Sequence, residues 1–158
     1  MNQSGYNGES ERIKVLLYHR LISESDSEDW ANIAVRESIF LHQIELLHRW
    51  GYASITFRDY EMFLKGELNL PRKPVIITFD DAYEEIYSVA MPILQKFGMT
   101  AVIFTIGDFS IRESIWDKGK GETFKLLDKK QLVELHSAGC EIGSHSLTHP
   151  RLPSNSTR

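Results

Sequence analysis

Two short runs hold the side chains best suited to hydrolytic chemistry: Asp80-Asp81, and His145-Ser-Leu-Thr-His149. Adjacent carboxylates resist joint ionisation and a bound cation relieves that cost, so one acid can face a metal while the other takes a proton. Taken singly, each run has a plain structural reading. An aspartate between a strand and a helix is as often an N-cap for free backbone N–H groups, and a bare His-x-x-x-His is more often two surface imidazoles. The four-residue spacing still lets a single turn or tight loop bring both rings to one ion. A zinc-peptidase signature would need Glu directly after the first histidine, and Ser146 stands there, which disfavours a peptidase.

Combined, Asp81, His145 and His149 make a one-carboxylate, two-histidine facial set with open coordination positions, the arrangement of a divalent ion that must also meet water and substrate. An ion held this way supplies Lewis acidity toward an acyl oxygen, and Asp80 beside it need only accept a proton. Amide or ester hydrolysis is the chemistry this set suits.

These residues matter only if the fold brings them together. Ile13–Tyr18 reads as a buried strand, Ser23–Asp29 as an acidic loop, and Phe40, Leu41, Ile44, Leu47 and Trp50 as one helical face closed by Gly51 at C′. Ala53–Phe57 reads as a second strand and Asp59–Leu64 as a short helix closed by Gly66. Val75–Phe79 is the clearest strand, and it stops at the two aspartates. Ile86, Val89, Ala90, Ile93, Leu94 and Phe97 then share a helical face, with a kink expected at Pro92. Ala101–Ile106 is a further strand, and 107–127 a long loop. Asp128 and Gln131 form a capping box for a helix with Leu132, Leu135 and His136 inward, and Cys140–Ser144 is the last strand. Alternating strands and helices predict an α/β fold, a parallel sheet with right-handed crossovers, open or closed as a barrel. Ligands in such sheets lie at the carboxyl ends of the strands, where both runs fall.

The 158 residues make one domain-sized unit, 13–158, behind a polar tail, 1–12. A net charge of −4 gives no general attraction to nucleic acid. The single cysteine, Cys140, precludes an internal disulfide and reads as a buried strand residue. With no signal-peptide pattern and no membrane-spanning run, the default location is cytoplasmic.

The run Ile77-Thr78-Phe79-Asp80-Asp81-Ala82-Tyr83, followed some sixty positions later by Glu141-Ile142-Gly143-Ser144-His145-Ser146-Leu147-Thr148-His149-Pro150, resembles the first two motifs of the polysaccharide deacetylases, the NodB-homology group. Tyr18-His19 and Trp116-Asp117 also look like features of its members, and the resemblance spans Ile13 to Leu152. It implies a distorted, incomplete (β/α) barrel, Asp80 as catalytic base, and Asp81, His145 and His149 as ligands of zinc or a similar ion. The implied substrate is an N-acetylated sugar polymer or glycoconjugate.

Two departures stand out. The family's first motif usually has glycine where this chain has Ala82. Only nine residues follow His149, and none supplies the later motifs that bring an arginine, an orienting aspartate and a general-acid histidine. The chain therefore reads as the front portion of such an enzyme, with an exposed sheet edge that invites self-pairing. The alternative is a non-catalytic module of the same fold that binds metal or glycan. His19 reads as a structural histidine more readily than a pocket residue. His42, His48 and His136 read as surface or packing residues, and Tyr83 either flanks substrate or packs on the sheet.

Overall fold

The computed structural model describes residues 13–26, 33–120 and 122–150. The polar tail 1–12, the end of the predicted acidic loop and the segment after Pro150 lie outside them. Seven strands and four α-helices follow one another: β1 (Lys14–Tyr18), β2 (Arg20–Ile22), β3 (Ala34–Arg36), α1 (Glu37–Arg49), β4 (Ala53–Ser54), α2 (Phe57–Leu64), β5 (Pro74–Phe79), α3 (Met91–Lys96), β6 (Val102–Thr105), α4 (Lys129–Ser137) and β7 (Glu141–Ser144). The main sheet is parallel throughout, in the order β1-β5-β6-β7. β4 pairs with Pro74 and Val75 at the start of β5, and β6 with Thr78 and Phe79 at its end.

β5 is buried on both faces, as a central parallel strand should be. Its side chains alternate between two cores. Ile77 and Phe79 join the main one, with Phe40 and Ile44 of α1, Leu94 of α3 and Leu132 and Leu135 of α4, whereas Ile76 packs with Ile55 and Val102 on the opposite face. On β1, Leu16 packs against the main core, while Val15 and Leu17 on the other face are exposed. β2 and β3, which the sequence pattern does not signal, form a separate parallel pair.

Most predicted elements are present, and each difference has a local cause. α1 ends as predicted: Gly51, at φ +76, donates to the His48 carbonyl at 3.0 Å, and Tyr52 to Leu47 at 3.0 Å. Trp50 lies just past the helix and is exposed, outside the apolar face assigned to it. The strand expected over Ala53–Phe57 is only Ala53–Ser54, because Thr56 starts a helix. Its hydroxyl accepts the Asp59 N–H at 3.1 Å, and the Asp59 carboxylate accepts the Thr56 N–H at 2.8 Å. At Pro92 the chain switches from a π-helical turn, Ile86–Ala90, to α3, whose first turn holds the proline. There Met91 donates to the Ile86 carbonyl, five residues back, and no α-helical bond is asked of the proline nitrogen.

The Asp128–Gln131 capping box forms as predicted, and Leu132 and Leu135 are buried. His136 is exposed rather than inward, because its ring turns to the C-terminal end of the helix, where Nδ1 lies 3.1 Å from the Cys140 carbonyl. Cys140 is buried as expected, its sulfur against that of Met91 at 3.4 Å.

Candidate metal centre

Asp80 and Asp81 stand where β5 leaves the sheet. The Asp80 N–H still donates to the Tyr18 carbonyl at 3.0 Å, prolonging the β1–β5 ladder, and the backbone then turns left-handed at Asp81 (φ +69) and Ala82 (φ +58). This turn is what the family's glycine would serve, and here an alanine adopts it. The Ala82 carbonyl accepts the Leu127 N–H at 2.8 Å, tying the turn to the end of the long loop. Neither aspartate caps a helix: the next helical turn begins at Ile86, behind Glu85, and has no side-chain cap.

The histidine run is fixed to β6 in the same manner. His145 donates its N–H to the Thr105 carbonyl at 2.8 Å, and the carbonyls of Ser146 and Leu147 accept from Gly107 and Asp108, both at 2.9 Å. Ser146 is left-handed, and its Oγ accepts the His149 N–H at 3.1 Å, closing the loop so that both rings turn back toward β5.

Asp81, His145 and His149 thereby converge. One carboxylate oxygen, Asp81 Oδ1, lies 3.2 Å from Nε2 of His145 and 3.2 Å from Nε2 of His149. That oxygen is wholly buried and among the described residues has no other hydrogen-bonding partner, whereas the two rings are about one-third exposed. Burial pushes the Asp81 carboxyl up from its usual value. His149, His145 and His19 pull it the other way, and Asp80 adds to the push. Two ligands about 2.1 Å from one ion at a tetrahedral angle are about 3.4 Å apart, so these separations match edges of a coordination polyhedron. The donor set and the orphaned oxygen fit a divalent cation of the zinc type.

His19, at the end of β1, is half-buried and stands at the same end of the parallel β1–β5 pair as Asp80 and Asp81. His42 is exposed on α1, and His48 packs on Phe97 with centroids 5.4 Å apart, both as expected. Tyr83 is fully buried, which removes it from the substrate side. Its hydroxyl donates to Asp117 Oδ2 at 2.7 Å and accepts from Trp116 Nε1 at 3.3 Å. The indole of Trp116 stacks on the His149 ring, with centroids 4.4 Å apart and planes 30° apart. The long loop is thus part of the centre. It is anchored by a third apolar cluster, Tyr83, Ile106 and Leu126, and by Arg20, which pairs with Glu85 at 2.6 Å and lies over the Phe124 ring at 3.3 Å. The adjacent Trp116-Asp117 pair is the sequence signal that pointed to this loop; the link to Tyr83 has none.

The sequence model described as polysaccharide deacetylase matches residues 67–158. The chain is 31% identical over 141 residues to the Bacillus subtilis (strain 168) protein named "Putative polysaccharide deacetylase YxkH", covering 89% of this chain and 44% of that one. It is 29% identical over 123 residues to the poly-beta-1,6-N-acetyl-D-glucosamine N-deacetylase of Staphylococcus aureus (strain MSSA476), covering 77% and 40%. Among solved structures, the Streptococcus pyogenes deacetylase PplD in complex with acetate superposes with a TM-score of 0.67 at 26% identity, over 87% of this chain and 57% of that one. The chain thus spans less than half the length of these curated relatives. With both motifs at the carboxyl ends of parallel strands and this match over more than half its residues, the chain belongs to the polysaccharide deacetylase family.

Proposed function

We propose that the chain carries the metal-binding and base-bearing part of a hydrolase that removes acetyl groups from an N-acetylated polysaccharide. The observation that supports this most is the single buried carboxylate oxygen 3.2 Å from two imidazole nitrogens, with a second carboxylate one residue away. The S. aureus relative's name, a poly-beta-1,6-N-acetyl-D-glucosamine N-deacetylase, supports a β-linked N-acetylglucosamine polymer as the substrate class.

Asp81, His145 and His149 would hold a divalent ion, zinc in the first instance. When bound, it supplies Lewis acidity toward water and the acetamide oxygen. Asp80 lies half-buried beside this set and takes the proton from the attacking water. The water oxygen bonds to the acyl carbon, the carbon–nitrogen bond breaks, and the nitrogen leaves with a proton, giving acetate and a free amine. That last proton needs a donor. His19 follows Tyr18, whose carbonyl accepts the Asp80 N–H, so it stands at the same strand ends as the two aspartates. We assign it as that donor.

Three variants divide these roles. Asp81→Ala is expected to abolish zinc binding by the chain. Asp80→Asn and His19→Gln are expected to leave zinc affinity within about twofold and to lower acetate release from oligomeric N-acetylglucosamine by ~10²–10⁴-fold in the active protein. Unchanged turnover in Asp80→Asn would remove it as the base, and the same result in His19→Gln would remove that donor.

A further inference from the structure

Metal-bound histidines are usually oriented by a hydrogen bond from the second ring nitrogen to a carboxylate or carbonyl. Among the described residues, neither His145 nor His149 has such a partner at Nδ1. His149 instead stacks with two rings, the indole of Trp116 at 4.4 Å and the imidazole of His145 at 5.3 Å, with interplanar angles of 30° and 28°. Its own backbone is left-handed, φ +53, held by the N–H bond to Ser146 Oγ. The indole has its own tether, since Nε1 donates to the buried Tyr83 hydroxyl at 3.3 Å and that hydroxyl donates to Asp117 at 2.7 Å.

We propose that Trp116 is a positioning residue for the metal ligand His149, its ring face setting the imidazole plane in place of a hydrogen bond, with Tyr83 holding the indole in register. The inference rests on the metal-centre reading above. Two physical features support it. An aromatic face is electron-rich, so it attracts an imidazole more strongly once that ring shares a cation's charge, and the stack then favours the loaded state over the empty one. Tyr83 is fully buried and only two residues from Asp81, so one short segment carries both the carboxylate ligand and the tether of the ring that orients His149. The site therefore gets its geometry from β5 and the long loop together.

Zinc affinity of the 158-residue chain, by competition with a chromophoric chelator, and the ligand-field absorption of the cobalt(II)-loaded chain test this. Trp116→Leu removes the ring face and is expected to weaken zinc binding about tenfold or more and to move the cobalt bands. Trp116→Phe keeps a face without the N–H and should stay within about threefold of wild type. Tyr83→Phe removes only the tether hydroxyl and should weaken binding about threefold with a detectable change in the cobalt spectrum. If Trp116 merely fills space, Trp116→Leu will lower the melting temperature of the metal-free protein while zinc affinity and cobalt spectrum stay those of wild type, and that result overturns the inference. Should Trp116→Leu fail to fold, unchanged affinity and spectrum in Tyr83→Phe overturn it equally. Asp81→Ala separates the two levels: if it binds zinc like wild type, or wild type binds none, the metal-centre reading fails and this inference with it.

Discussion

Asp81, Ala82, Ser146 and His149 are the non-glycine residues with positive φ among those described, and all four lie in the two motif turns. A left-handed L-residue costs roughly 1–2 kcal/mol, so the turns persist because other contacts over-determine them. At Ala82 the contact is the Leu127 N–H on its carbonyl at 2.8 Å, together with burial of its methyl group to 1% exposure. Ala82→Gly would relieve the backbone cost but lose the buried methyl, about 0.8 kcal/mol, and add unfolded-state entropy of about 0.4–1 kcal/mol. The terms oppose one another, and the expected stability is within about 1 kcal/mol of wild type by urea denaturation. Ala82→Val should cost more than about 2 kcal/mol, because a β-branched side chain at φ +58 has no relaxed rotamer and no room. A tolerated valine would mean that the turn can adopt another backbone. Those contacts, which offset the backbone cost, let this chain carry alanine where the family usually has glycine and keep the arrangement of Asp81.

At the scale of elements, the positions of capping residues decided what the sequence made legible. Asp128 and Gln131 were readable because an apolar helical face follows them, whereas the equivalent box at Thr56 and Asp59 was hidden behind Ala53-Ser54-Ile55, a run that also fits a strand. Its hydroxyl and carboxylate bonds make the difference, so Thr56→Ala is expected to destabilise the chain by about 1 kcal/mol, read as an earlier chemical-denaturation midpoint with an unchanged slope. A midpoint equal to wild type would show that packing of α2, not its cap, sets where the helix begins. The π-helical turn ahead of Pro92 and the β2–β3 pair were illegible for another reason. The β2–β3 pair forms between separated segments and the π-helical turn from how the backbone accommodates Pro92, and neither has a period of its own. Of the site, the four acids and imidazoles were legible because strand ends and a two-motif spacing placed them. The tether from Tyr83 to Trp116 was not, since two residues 33 apart meet only after the long loop folds back on β5.

Across the whole molecule, three acidic groups that are neutral at ordinary pH lie inside the packing. Burial pushes the Cys140 thiol and the Tyr18 phenol up, and burial with the Asp117 bond pushes up the Tyr83 phenol. Cys140 joins α4 and β7 to α3 through Met91, Tyr18 stacks on Phe79 at 5.5 Å in the main core, and Tyr83 anchors the long loop. Because their folded values are raised, the unfolded chain loses these protons first as the solution becomes alkaline, so it binds fewer protons than the folded chain and stability falls with rising pH. The fall from these groups should begin near pH 8.5, the thiol's value in an unfolded chain, and steepen near pH 10 with the phenols. Urea midpoints between pH 7 and 10.5 check the sign and the window. Cys140→Ala should flatten the first part of the decline and leave the part near pH 10. The same burial makes the thiol a reporter of global opening: at pH 8 a disulfide reagent should modify Cys140 only as fast as the molecule unfolds, and a fast reaction of the native chain would show that α4 and β7 part locally, independently of the core beneath the metal centre.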